Sequence, residues 1–232
     1  MISFSEQEII AIYLSLKIAT TAALLSLPFG IIIAFILAKK KFPFKALVTS
    51  IINLPLILPP VVTGYVLLII FGANGMIGKF LLEQFNFTLA FKWTGAALAC
   101  SIMGFPLMVR AIRLSLEMVD SKIEEAAKTL GASPARVFFS VTLPIALPGV
   151  IVGTVLSFAR ALGEFGATIT FVSNIPGETQ TLSAAIYTFL QAPNGEYMAL
   201  RITIISIIIS LTALVISEFI LEKLIVKDKN NG

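Results

Sequence analysis

Glu117-Met118-Val119-Asp120-Ser121-Lys122-Ile123-Glu124-Glu125-Ala126-Ala127-Lys128-Thr129-Leu130-Gly131-Ala132-Ser133-Pro134 is a polar, helix-forming stretch set in an otherwise oily chain. Ionised side chains at this density belong in water. Ile123, Ala126, Ala127 and Leu130 fall at i, i+3, i+4 and i+7 and make one apolar stripe, while Glu124, Glu125 and Lys128 dress the remaining surface. Gly131 reads as the residue that ends the helix, and Ser133-Pro134 as the start of the next turn. A short amphipathic helix in water needs a partner for its stripe: lipid, its own bundle, or a groove in another protein.

On both sides of this stretch the composition changes. The 232 residues are 57% apolar and 13% charged, against about 45–50% and about 25% in soluble domains. A mean hydropathy of +0.97, with no polar half, points to one membrane domain over residues 1–232. A crossing helix needs roughly 20 mostly apolar residues, because every backbone polar group must be bonded within the segment. Five stretches qualify: Ile9 to Ala38, Ala46 to Phe71, Trp93 to Ile112, Val141 to Thr170 and Ala199 to Ile220. The expected fold is therefore an all-α integral membrane protein of about five transmembrane helices. Met1 to Glu8 carries no Lys or Arg, which excludes the basic start of a secretory signal and keeps the first apolar segment in the mature protein.

Orientation follows from the basic residues. Lys39, Lys40, Lys41 and Lys45 follow the first span, Arg110, Arg113, Lys122, Lys128 and Arg136 surround the connection from the third to the fourth, and Lys223, Lys227 and Lys229 follow the fifth. These alternate ends hold twelve of the 17 Lys and Arg, which places the N-terminus outside and the C-terminus in the cytoplasm. Ser173 to Met198, with Pro176, Gly177, Pro193 and Gly195, reads as an external loop holding a short interfacial helix at Leu182 to Leu190. Pro28, Pro55, Pro59, Pro60, Pro106, Pro144 and Pro148 lie in the spans, each removing a backbone donor and favouring a kink. Such breaks are tolerated where protein or a water-filled cavity satisfies the freed carbonyls, as along a transport pathway. Gly149 and Gly153 form a GxxxG pattern that lets two helix backbones approach. Cys100, the one cysteine, reads as a small buried residue. The formal charge of +4 is small, and no nucleic-acid patch is implied.

Several of these residues carry a resemblance. Glu125-Ala126-Ala127, then Gly131, Val141, Leu143 and Pro144 at fixed spacing, resemble the EAA loop of bacterial ABC importer permeases, with Val141 where that pattern usually has Ile. Asn53-Leu54-Pro55-Leu56-Ile57-Leu58-Pro59-Pro60-Val61-Val62-Thr63-Gly64-Tyr65 and Arg160-Ala161-Leu162-Gly163-Glu164-Phe165-Gly166-Ala167-Thr168 look like segments of molybdate permeases, and sulfate and tungstate permeases share much of this vocabulary. The resemblance covers almost the entire chain. It implies type I ABC importer permease architecture and a coupling helix that fits a cleft of an ATP-binding subunit. Glu124, Glu125, Ala126, Ala127, Leu130, Gly131, Ser133, Pro134, Leu143 and Pro144 are the residues expected to serve that coupling.

The partners implied are a second copy of the chain, two ATP-binding subunits carrying ATP and Mg, a soluble extracytoplasmic oxyanion-binding protein and membrane lipid. No cofactor is expected on this chain, whose place is the cell membrane. Candidate pathway residues are Arg160, Glu164, Pro59, Pro60 and Thr63. Arg160 and Glu164 stand four apart on one helix face, so they either form a mutual ion pair or leave Arg160 to lower the barrier to an oxyanion. Lys17 reads as snorkelling toward the outer interface, and Glu218 as an inner-interface residue. An intramembrane enzyme is disfavoured because there is no His, both Asp (Asp120 and Asp228) lie outside the spans, and no Gly-x-Ser-x-Gly elbow is present. Ala73 and Phe80 around Gly78-Lys79 exclude a P-loop. A secondary transporter or channel is the remaining rival, and neither an internal repeat nor a set of mid-membrane ionisable residues supports it.

Overall fold

The computed structural model describes residues 5–230, with side chains through Glu222. Lys223, Lys227 and Lys229, which entered the orientation argument, carry side chains outside that description. The fold is all helical. Ser5 starts α1 (Glu6–Lys39) with a capping box: its hydroxyl accepts from the Glu8 N–H and its own N–H donates to the Glu8 carboxylate. The chain then forms α2 (Lys45–Ile57), α3 (Pro60–Phe71), α4 (Met76–Phe85) and α5 (Trp93–Glu117). After these come α6 (Ser121–Thr129), α7 (Pro134–Val137), a π-helical turn (Phe138–Thr142), α8 (Leu143–Ile145) and α9 (Leu147–Leu162). The last elements are α10 (Gly166–Val172), α11 (Leu182–Gln191) and α12 (Glu196–Asn230).

Three helices are long and apolar enough to cross a membrane, and five spans result when each of two bent pairs is counted as one. The second and fourth spans, whose prolines favour kinks, are both broken. Between α2 and α3 the axis turns by 110°. Leu58 precedes Pro59 and Pro59 precedes Pro60, so both are pushed out of the helical region, to ψ of 144° and 131°. Between α8 and α9 the turn is 68°. There Pro148 lacks the N–H that would bond the carbonyl four residues back and its ring crowds that carbonyl, while Ala146 sits at φ −83°, ψ 0°. The fourth span breaks again after Gly163, and α10 starts beyond Phe165. By contrast α1 runs on through Pro28 and α5 through Pro106.

The central helix is α5, clasped by α1 on one side and α9 on another. Its contact with α9 depends on absent side chains. A Cβ on Gly153 would stand 2.8 Å from the Met108 carbonyl oxygen, and one on Gly149 would stand 2.8 Å from that of Ala111. One on Gly104 of α5 would meet Ser157 of α9. Gly149, Gly153 and Ser157 thus form the seam that the GxxxG pattern suggested. Gly30 brings α1 to α5 in the same way, against Met108. Ala19, Ala22, Ala96, Ala97, Ala99, Cys100 and Ala161 fill the core near the α5 start, and Ala34, Met108, Ile112 and Leu116 fill it near the α5 end.

One connection holds a helix on which the sequence reading made no statement, and another sets an expected helix against protein. The segment before α5 contains α4, which its 10 residues and the Gly75 start did not announce. Leu182 to Leu190 does form a helix, α11, with one face packed into protein and Tyr187 and Leu190 exposed on the other. Leu182, Ala184, Ala185 and Phe189 are buried, and Leu182, Ala185 and Phe189 cluster with Ala11 of α1 and Ala199 and Ile202 of α12. The Leu182 N–H donates to Ser15 Oγ at 2.6 Å.

The seam gives a stability test. Gly153→Ala must displace α5 backbone and is expected to destabilise the detergent-solubilised protein by about 1–3 kcal/mol. Gly163→Ala, whose Cβ would have no neighbour closer than 3.9 Å, is expected to change stability by under about 0.5 kcal/mol. Thermal unfolding of the two variants checks the contrast.

Candidate functional site

Asp120 caps α6, its Oδ1 accepting from the Lys122 N–H at 2.9 Å. The helix ends as its sequence predicts. Gly131 has φ +85°, its N–H donates to the Lys128 carbonyl, and the Ala132 N–H donates to the Ala127 carbonyl. That is a Schellman closure with glycine at the left-handed position. Ser133 then caps α7 by accepting from the Arg136 N–H, and Pro134 takes the first helical position.

No residue of α6 is buried. Ile123, Glu125, Ala126, Lys128 and Leu130 are exposed, Leu130 by 89%. Ala127 is half-buried. The stripe is largely open apolar surface among the described residues. Glu124 does not belong to it: it turns inward, 3.1 Å from Lys39 Nζ at the end of α1 and 2.6 Å from Thr142 Oγ1. It had been grouped with the solvated residues because periodicity on a nine-residue helix cannot reveal a cation 85 residues away. Leu143 and Pro144 also lie apart from this stripe, beyond the π turn at the base of the fourth span.

The opposite set of candidates meets where the two broken spans touch. A Cβ on Gly64 would lie 2.9 Å from Ala167 Cα, and one on Gly166 would lie 2.7 Å from Pro60 Cβ, so α3 and α10 cross at their glycines. Thr63 is buried at this crossing with no hydrogen-bond partner for its hydroxyl, and Pro59 is exposed at the break. Arg160 and Glu164 form the ion pair, 2.6 Å between Arg160 Nη1 and Glu164 Oε2, with the Glu164 side chain 1% exposed and that of Arg160 27%. Glu164 has a second task that spacing did not show: its Oε1 accepts from the Ala167 N–H at 2.8 Å, closing the start of α10. The pair engages one nitrogen of the guanidinium and leaves further N–H donors.

Other polar links hold the same end of the bundle. Arg201 Nη2 lies 2.8 Å from Glu8 Oε2, whose side chain is fully buried, tying α12 to α1. Lys17 places its ammonium 3.7 Å from the centre of the Trp93 ring, a cation–π contact in place of free snorkelling. The Glu178 carboxylate accepts from the Trp93 N–H. No local pattern could have paired residues 193 positions apart. Among the described residues no group of His, Cys, Asp or Glu could hold a metal ion.

An all-helical membrane bundle with an uncovered amphipathic helix between its third and fourth spans is the frame of a transport component. Residues 26–227 match the family described as binding-protein-dependent transport system inner membrane component. The chain belongs to that family, the permease subunits of ABC importers, and is a multi-pass inner-membrane transport component, not an enzyme. It is 60% identical over 210 residues to the molybdenum transport system permease protein ModB of Escherichia coli K12, covering 90% of this chain and 92% of that protein. It is 55% identical to ModB of Haemophilus influenzae, over 94% of this chain and 95% of that one. Its fold matches a crystal structure of a bacterial ABC transporter that imports the acidic polysaccharide alginate. There the TM-score is 0.74 at 18% identity, covering 95% of this chain and 80% of that chain.

The buried ion pair generates a double-mutant test. Arg160→Gln alone leaves the Glu164 carboxylate buried without its cation and is expected to cost about 3 kcal/mol or more. Arg160→Gln with Glu164→Gln is expected to cost less than Arg160→Gln alone, because an amide keeps an acceptor for the Ala167 N–H. Unfolding temperatures of the single and double variants in detergent check the sign of the coupling.

Proposed function

We propose that two copies of this chain form the pathway of an ATP-driven importer of molybdate. Two ATP-binding subunits dock on α6 from the cytoplasm, and a soluble binding protein delivers the anion from outside. The observation that carries this reading is 60% identity to a molybdenum transport permease across nine-tenths of both chains, joined to an α6 on which no residue is buried among the described residues. ATP and Mg belong to the partner subunits. The chain runs inward along α1, α5 and α12, with the N-terminus outside. Lys39, Arg110, Arg113, Lys122, Lys128 and Arg136 gather around the α6 end, which supports this orientation.

Pairing is supported by α2, a helix of 13 residues with none buried in one copy. One protomer offers too little wall to enclose a hydrated dianion. The crossing of α3 with α10 is the part of that wall we assign to the anion. Discontinuous helices in a bilayer are stable where they border a cavity, and the spare N–H donors of Arg160 suit a tetrahedral oxyanion. Closure of the ATP-binding pair moves α6 and alternates access between the two sides.

The reading is tested in liposomes containing the full complex and the binding protein. Uptake of isotopic molybdate should require ATP and exceed that of sulfate, and uptake driven by a proton or sodium gradient alone would remove the reading. Ala126→Asp, on the exposed face, should weaken copurification of the ATP-binding subunit and lower uptake at least tenfold. With Cys100 buried, Leu130→Cys offers a single reactive thiol. A membrane-impermeant maleimide should reach it only from the cytoplasmic side.

A further inference from the structure

A lever has to be attached to what it moves, and α6 is attached by very little packing. It has no buried residue. Besides its two chain connections, the side-chain hydrogen bonds that tie α6 to the bundle among the described residues are those of Glu124. Both carboxylate oxygens are engaged: Oε2 with Lys39 Nζ at 3.1 Å and Oε1 with Thr142 Oγ1 at 2.6 Å. Lys39 is the last residue of α1, and its ammonium also donates to the Val119 carbonyl at 3.3 Å, where α5 passes into α6. Thr142 is 1% exposed and is the last residue of the π turn. The side chains of Lys39 and Glu124 are only 20% and 13% exposed, so water screens the pair weakly.

The location of Thr142 gives the link its meaning. Along the backbone α6 reaches Thr142 only through the Gly131 turn, the four-residue α7 and the π turn, and α8 and the 68° bend come after Thr142. A glycine turn and a wide helical turn make the stretch from α6 to Thr142 compliant, and a push on α6 along the backbone alone is absorbed there. We propose that Glu124 is a positioning residue that bypasses this compliance. It fastens α6 to the end of α1 through Lys39 and to the fourth span through Thr142, so that movement imposed on α6 reaches both spans together. The inference rests on α6 being the docking helix, as proposed above. It assigns to Glu124, Lys39 and Thr142 the transmission of movement and not contact with the partner.

The experiment uses the complete complex in liposomes with its binding protein and reads two rates, ATP hydrolysed and molybdate taken up. Glu124→Gln, Thr142→Val and Lys39→Met are expected to assemble and to hydrolyse ATP, while molybdate moved per ATP falls about fivefold or more, the lower range of coupling between sites. Lys39→Arg, which keeps the cation, is expected to retain the ratio. Variants in which both rates fall in proportion, leaving the ratio at its normal value, would overturn the proposal, since that pattern belongs to a docking or folding contact. Thr142→Val and Lys39→Met each cut one arm, so failure of Glu124→Gln to assemble leaves two measurements. Failure of all three to assemble would mark the link as a folding contact and also overturn it. A native complex without ATP-driven molybdate uptake is a different result, and it would remove the importer reading itself.

Discussion

In hydrocarbon, one apolar side chain gains little by leaving lipid for another, so helices hold together where their backbones come close enough for dense packing and where polar groups find partners. This constraint explains the core. Alanine is its commonest residue among the described positions, and the large aliphatic side chains of α2 and α12 point outward instead, Ile51, Ile57, Ile207 and Leu211 among them. A soluble protein with that surface would aggregate. Here α5 occupies the centre because Gly104, Ala96, Ala97 and Ala99 allow neighbours near it, and Gly149 and Gly153 of α9 answer from the other side.

Polar links then lock the ends of a bundle whose middle is held by close fit. At the N-terminal end of α1, Glu8 with Arg201, Ser15 with the Leu182 N–H, and Lys17 with Trp93 join α1 to α12, α11 and α5. At the other end, Lys39, Glu124 and Thr142 join α1 to α6 and the π turn. The first set closes on buried groups and packed helices, whereas the second holds an otherwise uncovered element. One end of the molecule is therefore braced and the other carries a helix with no buried residue.

Much of this was legible in local pattern. The spans follow from hydropathy, the end of α6 from Gly131, the start of α7 from Ser133-Pro134, and the α5–α9 seam from two glycines four apart, because each depends on chemistry within a turn or two of helix. What was not legible depends on distance. Glu124 was read as solvated because its partners, Lys39 and Thr142, come from other elements. The packing of Leu182 to Leu190 against α1 and α12 was not legible, because nine largely apolar residues carry the same pattern whether lipid or protein covers them. The prolines announced that spans two and four would deviate, but the sizes of the turns, 110° and 68°, are set by packing across α3 and α10 and against α5.

Pro59 and Pro60 differ in kind from the prolines that α1 and α5 absorb. Leu58 and Pro59 are each followed by a proline and so are driven to extended backbone, and neither proline has a hydrogen to offer a preceding carbonyl. The discontinuity is consequently written into covalent structure, not into a balance of weak contacts. Whatever rearrangement this membrane bundle undergoes, its second span cannot straighten by zipping up a missing rung of helix. It can only swivel about a fixed joint, with α2 and α3 moving as two stiff rods.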